Sequence, residues 1–418
     1  MTSSLRSLLK KIVRKGALQI TGVDGRSEIF GDGSGPMIAL RFTDAEAEAQ
    51  LYADPQLKLA ELYMDGRMRV EAGDIYELLA LIKSNTLSED LTFGMIWRGL
   101  VRYALAELRR LFPVNHNRRN VAHHYDLSAK LFDLFLDADW QYSCAYFSPE
   151  GISLDEAQVA KKRHIAAKLL LGKGQRVLEI GSGWGGMAMY LAESSGVSVD
   201  GITLSTEQLR IARGRAERRG LSGRVRFELQ DYRTMRATPY DRIVSVGMFE
   251  HVGRGNYRAF FQKVAELLKD DGVMVLHSIG QPYPARFNNP FIERYIFPGG
   301  YIPSLAEVLP AVEKAGLLVR DIEILPHHYA KTLRLWRERF LARREEAATL
   351  YDERFVRMWE FYLAGSEMAF THENFFIFQM QLAKSNDVVP NNRGYIAERE
   401  ATLAAFDRGR APLETVVF

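Results

Sequence analysis

Arg176-Val-Leu-Glu-Ile-Gly-Ser-Gly-Trp-Gly-Gly186 decides the fold of this chain. A short apolar run, Val177 to Ile180, carries one acid, Glu179, and ends in glycines at 181, 183, 185 and 186. The pattern predicts a strand running into a tight turn, whose backbone can approach a bound molecule because glycine has no Cβ to hold it away. Outward from the turn, apolar runs near 176–180, 198–203, 225–229, 242–247 and 272–278 predict strands. Glu207 to Arg219 and Tyr257 to Lys269 predict intervening helices. Strand alternating with helix implies a parallel sheet covered on both faces, with ligands at the carboxyl ends of its strands. Leu317 to Leu325 and Phe375 to Leu382 read as two further strands. Between them, Lys331 to Phe370 has helical periodicity and many aromatics, which predicts a helical insertion over the sheet edge and a candidate substrate lid.

Two classes of nucleotide cofactor compete for the turn. Gly181, Gly183 and Gly186 satisfy the G-x-G-x-x-G dinucleotide pattern, and Asp200 lies at about the spacing of a ribose acid. Three features favour S-adenosylmethionine instead. Glu179 stands inside the first strand, where dinucleotide folds place an apolar residue. Asp200 precedes Gly201-Ile202-Thr203, so it falls within the second strand and not at its ligand end. Gln230-Asp231-Tyr232 follows the third strand and offers an acid and a ring for the edge and face of an adenine. S-adenosylmethionine has no pyrophosphate to repel these carboxylates.

The chain has 418 residues, enough for two domains. Its 47% apolar and 26% charged content is that of an ordinary globular enzyme, and a net charge of +3 is too small to point to nucleic acid. The single cysteine, Cys144, excludes an intrachain disulfide and fits a reducing cytoplasm. No run of about 18 apolar residues is present in the sequence. Residues 1–115 differ in pattern from the rest. Leu5, Leu8, Leu9, Ile12 and Val13 mark one face of a helix whose other positions include Arg6, Lys10, Lys11, Arg14 and Lys15. Gly-broken alternation over 17–40 and helical patterns at 45–63 and 75–83 then predict a small α+β unit. A basic amphipathic start suits peripheral contact with an anionic membrane surface; packing on its own domain is the competing use. A basic, aromatic-interleaved stretch, 97–119, leads to a second domain over 121–418.

Asp241-Arg-Ile-Val-Ser-Val-Gly-Met-Phe-Glu-His-Val-Gly253 places Met248 to His251 at a strand's carboxyl end, beside the cofactor. Glu250 there is a carboxylate in apolar company, which needs a partner if buried. Gln141-Tyr-Ser-Cys-Ala-Tyr-Phe147 carries Cys144, with no sequence-local base to activate it. Leu276-His-Ser-Ile-Gly280 puts His277 at the ligand edge of the fifth strand. His123-His124 and His327-His328 lack the matching Cys/His set of a zinc site, so no metal is expected.

These blocks, together with H-Y-D-L-S (124–128), G-I-T-L-S-x-E-Q (201–208), Q-D-Y-R (230–233) and Y-I-F-P-G-G (295–300), resemble the cyclopropane-fatty-acyl-phospholipid synthase family from Val121 onward. The resemblance implies a class I S-adenosylmethionine-dependent methyltransferase domain, Rossmann-like and with helical insertions, preceded by a small α+β lipid-binding domain. The implied reaction transfers a methylene from S-adenosylmethionine across a cis double bond of an unsaturated phospholipid acyl chain, through a carbocation-like species deprotonated by bound bicarbonate. A fatty-acyl methyltransferase giving a methyl-branched or methylene product is the alternative. The implied holders of bicarbonate are Cys144, Glu250, His277, Ile279 and Tyr329. The implied cofactor residues are Tyr142, Ser143, Glu179, Gly181, Gly183, Gly185, Thr203, Ser205, Gln208, Asp231 and Tyr232. The implied setting is cytoplasmic, peripheral to the inner face of the membrane, and relatives suggest a homodimer. One position departs from the family pattern: Ser366 follows Phe361-Tyr362-Leu363 where many relatives have cysteine.

Overall fold

A computed structural model describes residues 1–85, 127–236, 238–285 and 289–409. The basic stretch 97–119, the join near 115–121, His123-His124 and the first three residues of the 124–128 block lie outside the described residues. The chain divides into two compact units. Among the described residues, one gathers 1–85, 289–298 and 333–374, and the other 127–285, 299–332 and 375–409.

The first unit is built on strands β1 (Ala17–Thr21), β2 (Ser27–Phe30), β3 (Met37–Phe42) and β4 (Met68–Ala72), in the order β2-β1-β3-β4. The opening helix, Ser3–Ile12, buries Leu5 and Leu8, and Val13 follows them into the interior. Its apolar face is therefore spent on packing, while Lys10, Lys11, Arg14 and Lys15 stay exposed. Pro55 divides the helical stretch after β3 into Ala45–Ala53 and Pro55–Met64, because proline at the first turn has no N–H to carry the earlier helix onward. The insertion forms helices His328–Ala342, Arg344–Leu350 and Glu353–His372. From Leu333 to Asn374 it clusters with the N-terminal residues. Arg337 joins Asp74 at 2.9 Å to the buried Glu367 at 3.2 Å, and Tyr63 donates to Glu360 at 2.8 Å. Ser366 lies in the last of these helices.

The second unit is built on β5 (Arg176–Ile180), β6 (Ser198–Thr203), β7 (Val225–Leu229), β8 (Tyr240–Val246), β9 (Leu268–Gly280), β10 (Leu318–Leu325) and β11 (Phe376–Ala383). Their order is β10-β11-β9-β8-β5-β6-β7. The five strands from β5 to β9 pair in parallel, whereas β11 runs antiparallel to both β9 and β10. Alternation of strand and helix predicts the parallel part; the antiparallel edge depends on where the chain re-enters after the insertion. Two buried apolar clusters cover the two faces, one around Phe249, Phe260 and Phe261 and one around Met189, Leu191 and Phe227. Asp200 sits mid-strand, away from the carboxyl end of β6, where it accepts from the Tyr240 hydroxyl at 2.9 Å and Arg176 at 3.3 Å. It is committed to the fold and does not serve a ribose.

Candidate active site

The carboxyl ends of β5, β6, β7 and β8 open onto a cleft lined by Gly181, Thr203, Asp231 and Met248, among others. At the end of β5 the chain must reverse immediately: Gly181 and Ser182 both donate to the Ile202 carbonyl, at 3.0 and 2.9 Å. Gly181 has φ +87°, and a Cβ there would stand 2.8 Å from Met248 Cβ, so glycine alone fits. Gly186 opens the helix Gly186–Ser195, and a Cβ on it would meet Gln141 Nε2 at 2.2 Å and Asp139 Oδ2 at 2.5 Å. The turn glycines thus make room partly for a ligand and partly for a neighbouring loop.

Nine of the sequence-derived cofactor residues line the cleft: Tyr142, Ser143, Glu179, Gly181, Gly183, Thr203, Gln208, Asp231 and Tyr232. Gly185 and Ser205 do not. Gly185, at φ +83°, lets the turn lie on Phe227, and Ser205 caps the helix Thr206–Arg218 by accepting from Gln208 N at 3.2 Å. Thr203 donates to Gln208 Oε1 at 2.9 Å, which orients that amide in the wall. Burial opposes charge on Asp231, but Arg233 grips both its oxygens and holds its pKa below the usual range. Glu179 is 3% exposed, and burial pushes its pKa up to about 8. Among the described residues its Oε2 has no hydrogen-bond partner. A buried acceptor in the wall of a cleft fits a ligand bearing positive charge, as S-adenosylmethionine does.

A clamped loop forms one side of the cleft. The helix Leu154–Lys168 begins with a capping box, Ser153 and Glu156. It projects Gln158, Lys161 and Lys162 at i, i+3 and i+4, all toward residues 137–146. Gln158 donates to the carbonyls of Gln141 and Ser143, at 3.1 and 2.9 Å. Lys161 donates to Gln141 Oε1 at 2.8 Å and Ser143 Oγ at 2.7 Å. Asp139 pairs with Lys162 and, at 2.5 Å, with Arg215, all three buried. These cations outweigh its desolvation and keep Asp139 ionised. Lys161 hydrogen-bonds to neutral acceptors, and burial lowers its pKa to about 7 against the opposing charge of Asp137. None of these anchors is legible as a site residue, because lysines on a polar helix read as a solvated face.

The same loop leads to a second group of buried polar side chains. Cys144 is 1% exposed, and burial raises its thiol pKa, so it is no thiolate nucleophile. Next to it Ala145 N donates to Thr332 Oγ1 at 3.1 Å, and Phe147 N donates to His328 Nδ1 at 3.0 Å. These bonds dock the loop on the first turn of the helix that carries Tyr329. Glu250 lies on the short turn Phe249–His251 after β8. Met248 and His251 line the cleft, whereas Glu250 turns away and accepts from Ile279 N at 2.7 Å. His277, two residues earlier on β9, is 2% exposed. Burial raises the Glu250 pKa and, together with Lys161 and Lys168, lowers that of His277. Among the described residues, neither Glu250 Oε2 nor His277 Nε2 has a hydrogen-bond partner. Sequence reading missed several cleft residues, among them Trp140, Trp184, Gln230 and Arg233. Trp184, inside the glycine turn, and Gln230 and Arg233, flanking Asp231-Tyr232, carried a signal in the sequence.

A mostly parallel seven-stranded sheet with this turn and cleft defines an S-adenosylmethionine-dependent methyltransferase. Residues 113–380 match the family model for mycolic acid cyclopropane synthetase, and the chain belongs to that family. Residues 4–89 match a domain of unknown function. The chain is 37% identical over 361 residues to a cyclopropane-fatty-acyl-phospholipid synthase of Escherichia coli, covering 86% of this chain and 91% of that one. It is 33% identical over 394 residues to a tuberculostearic acid methyltransferase of Mycobacterium tuberculosis, covering 90% of each. A mycolic acid cyclopropane synthase solved in complex with SAH and CTAB superposes with a TM-score of 0.61 at 36% identity, over 63% of this chain and 97% of that one.

Proposed function

We propose that this enzyme transfers a methylene from S-adenosylmethionine across a cis double bond of an unsaturated phospholipid acyl chain, forming a cyclopropane fatty acid. The observation that carries the reading is the pair of buried polar atoms, Glu250 Oε2 and His277 Nε2, that lack a hydrogen-bond partner among the described residues, near a Cys144 thiol that burial keeps protonated. An alkene has no heteroatom proton to remove beforehand, so the site need only align the reactants, exclude water and accept a proton late. When bound, the cofactor supplies an electrophilic methyl, and bicarbonate supplies the base for the proton lost as the ring closes. In balance, the alkene π pair forms a bond to the methyl carbon as the carbon–sulfur bond breaks. The carbocation-like acyl chain then loses one methyl proton, and that carbon–hydrogen pair closes the ring.

The chain's own residues divide this work. Glu179 offers negative charge to the cofactor's cationic end, and Tyr142 and Tyr232 offer ring faces. Gln158 and Lys161 hold the loop that joins Ser143 in the cleft to Cys144 beyond it. Glu250, His277, the backbones of Cys144 and Ile279, and Tyr329 would hold the small oxyanion. The buried ammonium groups of Lys161 and Lys168 favour an anion there. Contact with the membrane surface would rest on the exposed Lys10, Lys11, Arg14 and Lys15, by charge alone, because Leu5 and Leu8 are already packed. The 33% identity to a methyltransferase over nearly the whole chain favours a second reading: a methyl-branched alkene if the cation loses a chain proton, or a methylene product if a 1,2-hydride shift moves the charge to the methyl-bearing carbon before a methyl proton leaves. Incubating the purified chain with S-adenosylmethionine and vesicles of a cis-unsaturated phospholipid tests the proposal. Cyclopropane acyl chains are expected; activity confined to soluble amines would overturn it.

A further inference from the structure

We infer that Lys168 and Gln379 are positioning residues that fix the proton of His277 on Nε2, making that atom a hydrogen-bond donor and not a base. The inference follows from which groups can donate and which can accept. An ammonium group has three donors and no acceptor. Lys168 Nζ, 1% exposed, reaches Gln379 Oε1 at 3.0 Å, so the oxygen of that buried amide must face the lysine. The NH₂ of Gln379 is thereby turned to the other side, where it stands 3.3 Å from His277 Nδ1. An amide nitrogen only donates, so Nδ1 must accept through its lone pair. The proton of a neutral ring then has one place left, Nε2.

The register supports the arrangement. Gln379 on β11 is the antiparallel partner of His277 on β9, so the two side chains share one face of the sheet. Lys168 is itself held by Glu323, whose carboxylate also meets His164 Nε2 at 2.6 Å, and His164 Nδ1 meets Glu400 at 2.8 Å. A flipped amide would set NH₂ against the ammonium and an oxygen against Nδ1. The titratable groups facing His277 are Lys161, Lys168, His164 and His328, and burial together with the two lysine ammonium groups opposes a second proton on the ring. Buried Nε2–H without a partner among the described residues calls for an acceptor, and an oxyanion has the matching chemistry. The inference rests on the proposed function for the identity of that oxyanion. It excludes His277 as the group that takes the proton released on ring closure.

The test is nitrogen NMR of the full chain labelled with ¹⁵N-histidine, with the His277 ring signals assigned by their loss in His277→Gln. Wild type is expected to show one neutral tautomer carrying its proton on Nε2. Gln379→Glu puts a carboxylate oxygen against Nδ1, so the proton should move to Nδ1. Turnover should then fall about 10- to 100-fold, as for the loss of an orienting partner behind a ligating histidine, while S-adenosylhomocysteine binding stays within about twofold. Lys168→Met frees the amide to flip and should give a mixture of tautomers. An Nδ1–H ring in wild type overturns the inference, as does an unmoved proton in folded Gln379→Glu. The wild-type spectrum decides the matter even if neither variant folds. Failure to make cyclopropane lipid with Nε2–H intact would sink the proposed function and leave the tautomer assignment standing.

Discussion

Replacing Glu179 with glutamine should abolish a proton release that accompanies cofactor binding. Burial raises the pKa of this carboxyl from 4.5 to about 8, with no hydrogen-bond partner for its Oε2 among the described residues. At pH 7 a group with that pKa is about 90% protonated, so the empty protein carries a neutral acid in its cleft. A cationic ligand favours the ionised form, and about 0.9 proton should leave for each S-adenosylmethionine bound. S-adenosylhomocysteine, which lacks the sulfonium charge, should release less. Titration calorimetry in two buffers of different ionisation enthalpy counts the protons directly. The same residue sets a stability trend of known sign. A raised carboxyl pKa contributes stability that is complete below 4.5 and lost as pH climbs to about 8. At about 1.36 kcal/mol per pH unit that displacement approaches 5 kcal/mol, an upper bound for the gain of Glu179→Gln over wild type above pH 8. Equal binding enthalpies in the two buffers, or parallel pH–stability curves, would refute a protonated Glu179.

Other consequences are open to simpler tests. Glu250→Gln keeps an acceptor for Ile279 N but loses the second carboxylate oxygen; a charge-assisted bond is worth about 1.5–3 kcal/mol, so turnover should drop about 10- to 150-fold with cofactor affinity unchanged. A variant with wild-type turnover would remove Glu250 from the chemistry. Lys162→Met strands the buried Asp139 with fewer cations and should cost about 3 kcal/mol in urea unfolding; a change under about 0.5 kcal/mol would contradict the clamped loop. Binding to anionic vesicles should weaken with salt and with charge reversal at Lys10, Lys11, Arg14 and Lys15, and salt-insensitive binding would count against surface attraction.

The glycine turn and the first three strands of the larger sheet were legible because each is local. Residues 176–180, 198–203 and 225–229 are the observed strands to the residue. The antiparallel pairing of β11 was not, since direction depends on a path through an inserted segment. Nor does periodicity say that Leu333 to Asn374 clusters with the N-terminal unit; Asp74, Arg337 and Glu367 meet across hundreds of residues. At the site, Glu179 and Asp231 stood out as acids among apolar neighbours. Lys161 and Lys168 did not, because a helix reading Gln158-Val-Ala-Lys-Lys-Arg-His-Ile-Ala-Ala-Lys168 looks like a wet surface and is in fact buried. Gln379 is hidden in the same way within an apolar strand, and only its donors and acceptors give it meaning.

Lipids from cells expressing the chain and fed methyl-deuterated methionine test methylene transfer most directly. Methylene transfer predicts acyl chains that have gained one carbon, with two deuterons retained on a ring carbon and the double bond gone. Retention of three deuterons in a methyl branch would contradict it, and so would a methylene branch on an open chain.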